Sequence, residues 1–137
     1  MTKENVLELL PNGSMGILST VNEEGFPDGR GWQFQFEENG KFYFSTANTK
    51  DVYKEMKANP KVSFTSMEPT GKYTVRIIGK ATFITDPYEK EKAYAKLGNI
   101  VKGIYTSWND PTLEIFYVSN GELKIATGFN PAEIIKF

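Results

Sequence analysis

Hydrophobic positions recur along this chain with two different periods, and the switches between them mark out its elements. Met1 to Leu10 carries Val6, Leu7, Leu9 and Leu10 among Lys3, Glu4 and Glu8, the pattern of a short amphipathic helix that Thr2 caps and Pro11-Asn12-Gly13 stops. Met15 to Val21 predicts a buried strand, followed by the polar turn Asn22-Glu23-Glu24-Gly25. Arg30 to Phe36 alternates, with Trp32, Phe34 and Phe36 on one face and Gln33 and Gln35 on the other. After a turn over Glu37 to Gly40, Lys41 to Thr46 returns as the partner strand of a hairpin. The period then changes: Val52 and Met56 lie four apart in Asn48 to Ala58, a helix with Asn48 or Thr49 as its N-cap and Pro60 as its stop.

Lys61 to Met67 predicts another strand, and Lys72 to Thr85 a long one that bends or bulges at Gly79. Asp86-Pro87-Tyr88-Glu89 is a helix start, with an acidic cap, proline at the first helical position and Glu three residues after the cap. That helix runs to Leu97 with Gly98 as its stop, and Asn99 to Pro111 reads as irregular. Thr112 to Ser119 and Glu122 to Thr127 are expected to pair as a hairpin across Asn120-Gly121. The sum is a mainly β (α+β) chain. Its expected architecture is six or seven antiparallel strands in a small barrel with two or three peripheral helices.

At 137 residues the chain is expected to form one domain over 1–137. Lys plus Arg total 16 and Asp plus Glu 17, so no basic excess points to nucleic acid. No run approaches the ~20 apolar residues of a membrane span, and the N-terminal segment lacks the uncharged core of a signal peptide, so a cytoplasmic location is expected. The composition changes the picture most through two zeros: there is no cysteine and no histidine. That excludes thiol nucleophiles, imidazole metal ligation and a Ser-His-Asp triad, and no metal-ligand spacing, P-loop or GxGxxG is present. An enzyme of this composition delegates difficult chemistry to something bound.

Three segments could hold such a group. In Ser45-Thr46-Ala47-Asn48-Thr49-Lys50 a strand ends in hydroxyl and amide side chains, and a helix begins with a lysine in its first turn. Free N–H groups and a partial positive charge suit a phosphate there, and an anion would offset the conflict between Lys50 and the helix dipole. Simple capping by Asn48 or Thr49 is the other reading. In Arg30-Gly31-Trp32-Gln33 the glycine lets a flat ring or a phosphate approach the backbone, while a barrel strand with a surface arginine is the alternative. Arg76, set in the apolar run Val75-Arg76-Ile77-Ile78, calls for an anion or a cross-strand carboxylate. Trp108, in an irregular stretch, is a candidate to cover a ligand or a partner subunit.

Taken in order, these pieces resemble the pyridoxamine 5'-phosphate oxidase-like family of FMN-binding split barrels. The likeness is greatest to the branch with Nim-type nitroimidazole reductases and general stress proteins. It is carried by the segment Arg30 to Thr46 with its Glu38-Asn39-Gly40 turn, by Lys50, by Ala58-Asn59-Pro60-Lys61-Val62, by Val75 to Ala81 and by Glu114-Ile115-Phe116-Tyr117. The resemblance implies a homodimer with FMN at the subunit interface. Arg30, Gly31, Trp32 and Gln33 would line the isoalloxazine and ribityl, largely through backbone groups. Phe44, Ser45 and Thr46 would follow the ribityl chain, and Thr49 and Lys50, with Asn48 beside them, would hold the phosphate. Thr74 falls where larger relatives place a glutamine near the flavin, with Arg76 on the same face. The absence of histidine departs from Nim-type proteins, which often place one near the flavin.

The function implied is an FMN-dependent oxidoreductase passing electrons from NADH or NADPH to a small acceptor such as a nitroaromatic or a quinone. The alternative is a non-catalytic flavin- or ligand-binding stress protein. Haem, which some split barrels bind, would lack its usual His or Cys axial ligand here.

Overall fold

The computed structural model describes residues 1–137. The chain opens as read. Thr2 Oγ1 accepts from Asn5 N at 3.2 Å while Asn5 Oδ1 accepts from Thr2 N at 2.9 Å, a capping box that starts α1 (Lys3–Leu9). The strands that follow are β1 (Met15–Val21), β2 (Pro27–Gln33), β3 (Phe36–Glu38), β4 (Lys41–Ala47), β5 (Lys61–Met67), β6 (Tyr73–Phe83), β7 (Leu113–Thr127) and β8 (Glu133–Lys136). Between them lie α2 (Asp51–Ala58), α3 (Pro87–Ala95) and α4 (Asn99–Ile104). All pairings are antiparallel, in the order β2-β1-β5-β6-β7-β4-β3 with β8 added to β7. The residues joining β2 to β3 close the sheet. Phe34 exchanges hydrogen bonds with Ser14 and Gly13, each at 2.9 Å, and Gln35 N donates to Tyr43 O at 3.0 Å. The result is the split barrel, with eight strands and four helices where six or seven and two or three were expected. The extra elements are short: β3 has 3 residues, β8 has 4 and α4 has 6, too few for a period to show.

Inside the barrel, Phe34, Phe42, Phe44, Phe64 and Phe116 pack with Leu18, Val75, Ile77 and Leu123 beneath α1 and α2. A second cluster, formed by Phe36, Ile84, Ala93, Leu97, Val101, Leu113 and Ile115, packs α3 and α4 against the sheet's other side. Two layers of helix on one curled sheet therefore bury both faces of β4 and of the first half of β7.

Four local expectations are corrected. Trp32, Phe34 and Phe36 do not share a face, because the chain turns a corner at Phe34 and Gln35. Phe34 enters the barrel, Phe36 joins the second cluster, and Gln35 is itself buried. Consequently β2 pairs with β1, and only the short β3 pairs with β4. Asn120-Gly121 does not reverse the chain either: β7 runs straight through it. Ile78 pairs with Glu122 and Lys80 with Ser119, so Gly79 alone faces Asn120 and Gly121, which is a bulge. The left-handed φ of 54° at Asn120 bends the strand instead of closing a turn. The strand β1 is only half buried: Leu18 and Thr20 face the core, whereas Met15 and Ile17 lie on the open outer face. Finally, Gly98 ends no long helix but is the N-cap of α4, within the stretch read as irregular.

Candidate functional site

The ends of β2 and β4 lie side by side, and the wall of α4 stands opposite them. Together they enclose a cleft of about 280 Å³ lined by Met15, Gly31, Trp32, Gln33, Gln35, Ser45, Thr46, Lys50, Ile100, Val101, Ile104 and Tyr105. Trp32 Nε1 donates to Ser45 O at 3.0 Å, which fixes the indole across the end of β4. The Lys50 ammonium lies 4.9 Å from the centre of the Trp32 ring, within cation–π range. Beside them Thr46 is 3% exposed, and its Oγ1 is the one buried side-chain polar atom without a hydrogen-bond partner. Such a hydroxyl costs free energy unless something satisfies it. Gly31 leaves room for that something, since a Cβ there would meet no atom within 4 Å.

The α4 wall is held by glutamines. Gln35 Oε1 accepts from Gly98 N at 2.8 Å, its Nε2 donates to Gln33 Oε1 at 3.3 Å, and Gln33 Nε2 donates to Gly13 O at 3.1 Å. Gly98 caps α4, so this chain of amides links the helix to the β2–β3 corner. It places Ile100 and Ile104, 66% and 67% exposed, at the cleft's edge. Met15 continues the same apolar surface, followed on the outer sheet face by Ile17 and Met67.

Sequence reasoning thus finds Gly31, Trp32, Gln33, Ser45, Thr46 and Lys50 in one place. The lysine sits differently from expectation. Lys50 is the N-cap of α2 with extended backbone (φ −89°, ψ 150°), and Asp51 occupies the first turn. The side chain is therefore clear of the helix axis, and the acidic residue complements the dipole. Asn48 is no cap: its Nδ2 donates to Pro111 O at 2.8 Å, tying the end of β4 to the segment before β7. Thr49 is exposed. Phe44 is fully buried in the barrel and reaches the cleft only through its backbone neighbours.

Arg30 turns its side chain to the side opposite Gly31. Its guanidinium donates to Thr20 Oγ1 at 2.8 Å, Leu18 O at 3.2 Å and Glu55 Oε1 at 3.1 Å, pinning α2 to the β1–β2 hairpin. Arg30→Ala is expected to cost about 1.5–3 kcal/mol of stability, the scale of hydrogen bonds to a charged group, by leaving the largely buried Glu55 carboxylate with the Thr20 hydroxyl but no cation. Urea unfolding measures that loss.

Thr74 and Arg76 lie on the outer sheet face, three strands from β2. Arg76 pairs in register with Thr65 and Lys124, and Thr65 with Ile17, which pairs with Gly31. At ~4.8 Å per strand that is roughly 14 Å, and neither residue lines the cleft. Arg76 has no carboxylate partner, contrary to the cross-strand reading. Trp108 is half-buried and also outside the cleft lining. Two lining elements escaped sequence reasoning. Tyr105 follows α4, and burial, assisted by the charge of Asp110, raises its phenol above the ordinary tyrosine range. The α4 residues Ile100 and Ile104 are apolar but lie in a helix too short to announce itself.

No helix is long and apolar enough to cross a membrane. The chain matches the family model described as "Pyridoxamine 5'-phosphate oxidase" over residues 2–122. No protein of curated function matches it. Among solved structures, a NimC/NimA family protein from Clostridium acetobutylicum superimposes with a TM-score of 0.78 at 27% identity, covering 96% of this chain and 92% of that one. General Stress Protein 26 from Bacillus anthracis gives a TM-score of 0.76 at 19% identity, with 98% of each chain covered. An FMN-binding protein from Nostoc punctiforme, related to pyridoxamine 5'-phosphate oxidase, gives 0.75 at 13%, covering 96% and 88%.

Proposed function

From a chain that belongs to the pyridoxamine 5'-phosphate oxidase family we infer a flavoprotein: an FMN-dependent oxidoreductase that takes electrons from a reduced nicotinamide and passes them to a small acceptor. The observation that carries this reading is the buried, unpartnered Thr46 hydroxyl beside Lys50 and the open backbone of Gly31. A phosphorylated, hydroxyl-bearing ligand with a flat ring meets all three needs. Lys50 supplies a cation to the phosphate, Thr46 and Ser45 follow the ribityl hydroxyls, and Gly31 to Gln33 present backbone to the ring. FMN, when bound, supplies the redox chemistry, so the chain needs neither histidine nor cysteine for it.

The cleft, at about 280 Å³, lies at the lower end of small-molecule sites and opens to solvent between the ends of β2 and β4 and the α4 wall. Exposed Met15, Ile17 and Met67 beside it form the kind of apolar surface that a partner covers. Both features support a homodimer in which the second copy completes the site.

The test is a visible spectrum. A yellow protein whose flavin absorption is bleached by NADH or NADPH supports the reading, and one that takes up no FMN overturns it. Bound FMN with no turnover above that of free FMN favours the ligand-binding stress protein. Lys50→Ala is expected to weaken FMN by about 1–3 kcal/mol, roughly fivefold to 150-fold in Kd, as the loss of a charge-assisted hydrogen bond. Fluorescence titration of FMN measures it. Unchanged affinity would make Lys50 a solvated helix-cap residue.

A further inference from the structure

Among the twelve residues lining the cleft there is no carboxylate, and the ionisable side chains are Lys50 and Tyr105 alone. Lys50 already lies over Trp32 on the β4 side. Tyr105 stands at the end of the α4 wall among Ile100, Val101 and Ile104. Its backbone is held from both directions. The amide donates to Val101 O at 2.9 Å and the carbonyl accepts from Tyr94 Oη at 2.5 Å. The Tyr105 hydroxyl itself makes no hydrogen bond within the chain, although the ring is half-buried against the second cluster. A phenol with an idle donor, carried on a backbone held at both ends and set in an apolar wall, complements an oxygen acceptor on an otherwise apolar ligand.

We propose that the Tyr105 hydroxyl is the hydrogen-bond donor that receives the carbonyl or nitro oxygen of a neutral, planar acceptor bound against the α4 wall. Without a carboxylate the cleft disfavours cationic substrates, and Ile100, Val101 and Ile104 favour an apolar ring. A phenol is protonated through the neutral range, and burial moves Tyr105 further in that direction, so its hydroxyl is available as a donor. That the ligand is an electron acceptor rests on the flavoprotein reading; the donor site does not.

The two are separated by titrating the purified chain, with and without FMN, by protein-observed NMR against nitrobenzene and against toluene. The probes share a ring of similar size and differ in the oxygens. Tyr105→Phe keeps the ring and is expected to weaken nitrobenzene about five- to tenfold, the worth of one net hydrogen bond, while leaving toluene unchanged. Tyr117→Phe, which removes a phenol from a different cavity, is expected to change neither. Equal weakening of both probes, no effect of Tyr105→Phe, an equal effect of Tyr117→Phe, or nitrobenzene shifts away from α4 would each overturn the proposal. Failure of FMN uptake would overturn the flavoprotein reading and leave this result standing.

Discussion

Phe44→Ala is expected to destabilise the chain by about 3–5 kcal/mol, the cost of truncating a buried phenylalanine and leaving a cavity. Phe44 is 0% exposed, and its ring touches three others: edge-on to Phe34 at 5.7 Å, tilted against Phe64 at 5.0 Å and stacked on Phe116 at 5.4 Å. These rings come from the corner after β2, from β5 and from β7, so the hole opens at the barrel's centre and no single side chain can collapse into it. A loss of this size is a large share of a domain's whole stability. Denaturant unfolding measures it. A residue that lines the cleft without filling the core is expected to behave differently, its truncation costing little stability. If Phe44→Ala weakened FMN while the unfolding midpoint held, the ring would belong to the cleft and not to the core.

Gly121→Ala is expected to cost about 3 kcal/mol, at the upper end of overpacking penalties. A Cβ at Gly121 would lie 2.1 Å from Ile78 O, a backbone atom that can move only if β6 and β7 separate at the bulge. The methyl group is small, but the atom it meets is fixed by the ladder on both sides, from Ile78 to Glu122 and from Lys80 to Ser119. Thermal unfolding of Gly121→Ala tests this. A variant as stable as the parent would mean that the bulge relaxes and the two strands are not locked there.

The same pair of residues shows where the sequence speaks and where it does not. Asn120-Gly121 carries the chemistry of a hairpin turn, yet the turn is not made. Residues 113–127 have a better use as one continuous strand along β6, and the left-handed freedom of Asn120 is spent on a bend. Local preference lost to pairing with a strand some forty residues away, which no window of sequence contains. The Asp86-Pro87-Glu89 start held, because its determinants are within three residues of one another: Glu89 N donates to Asp86 Oδ2 at 2.9 Å. Val75 and Ile77 alternate with Arg76 as read, because a strand in mid-sheet has no corner to turn. Gln35 was misplaced because strict alternation ignores corners, and its burial is explained only by Gly98, sixty-three residues on. Within the cleft the residues of β2, β4 and Lys50 could be found because glycine, hydroxyl and lysine are chemically marked. Tyr105 could not, since nothing local separates a tyrosine that faces a cleft from one that fills a crevice.

The cleft draws on four stretches of chain: Met15, residues 31–35, residues 45–50 and, much later, residues 100–105. The strand carrying its hydroxyls, β4, is held along one side by Leu113 to Val118 of β7. During synthesis, then, β4 leaves the ribosome before the strand that braces it exists. The nascent chain can present Lys50 and Thr46 but cannot hold them in place. A ligand that binds only the finished cleft therefore stabilises the whole fold, by an amount that grows with its concentration relative to its Kd.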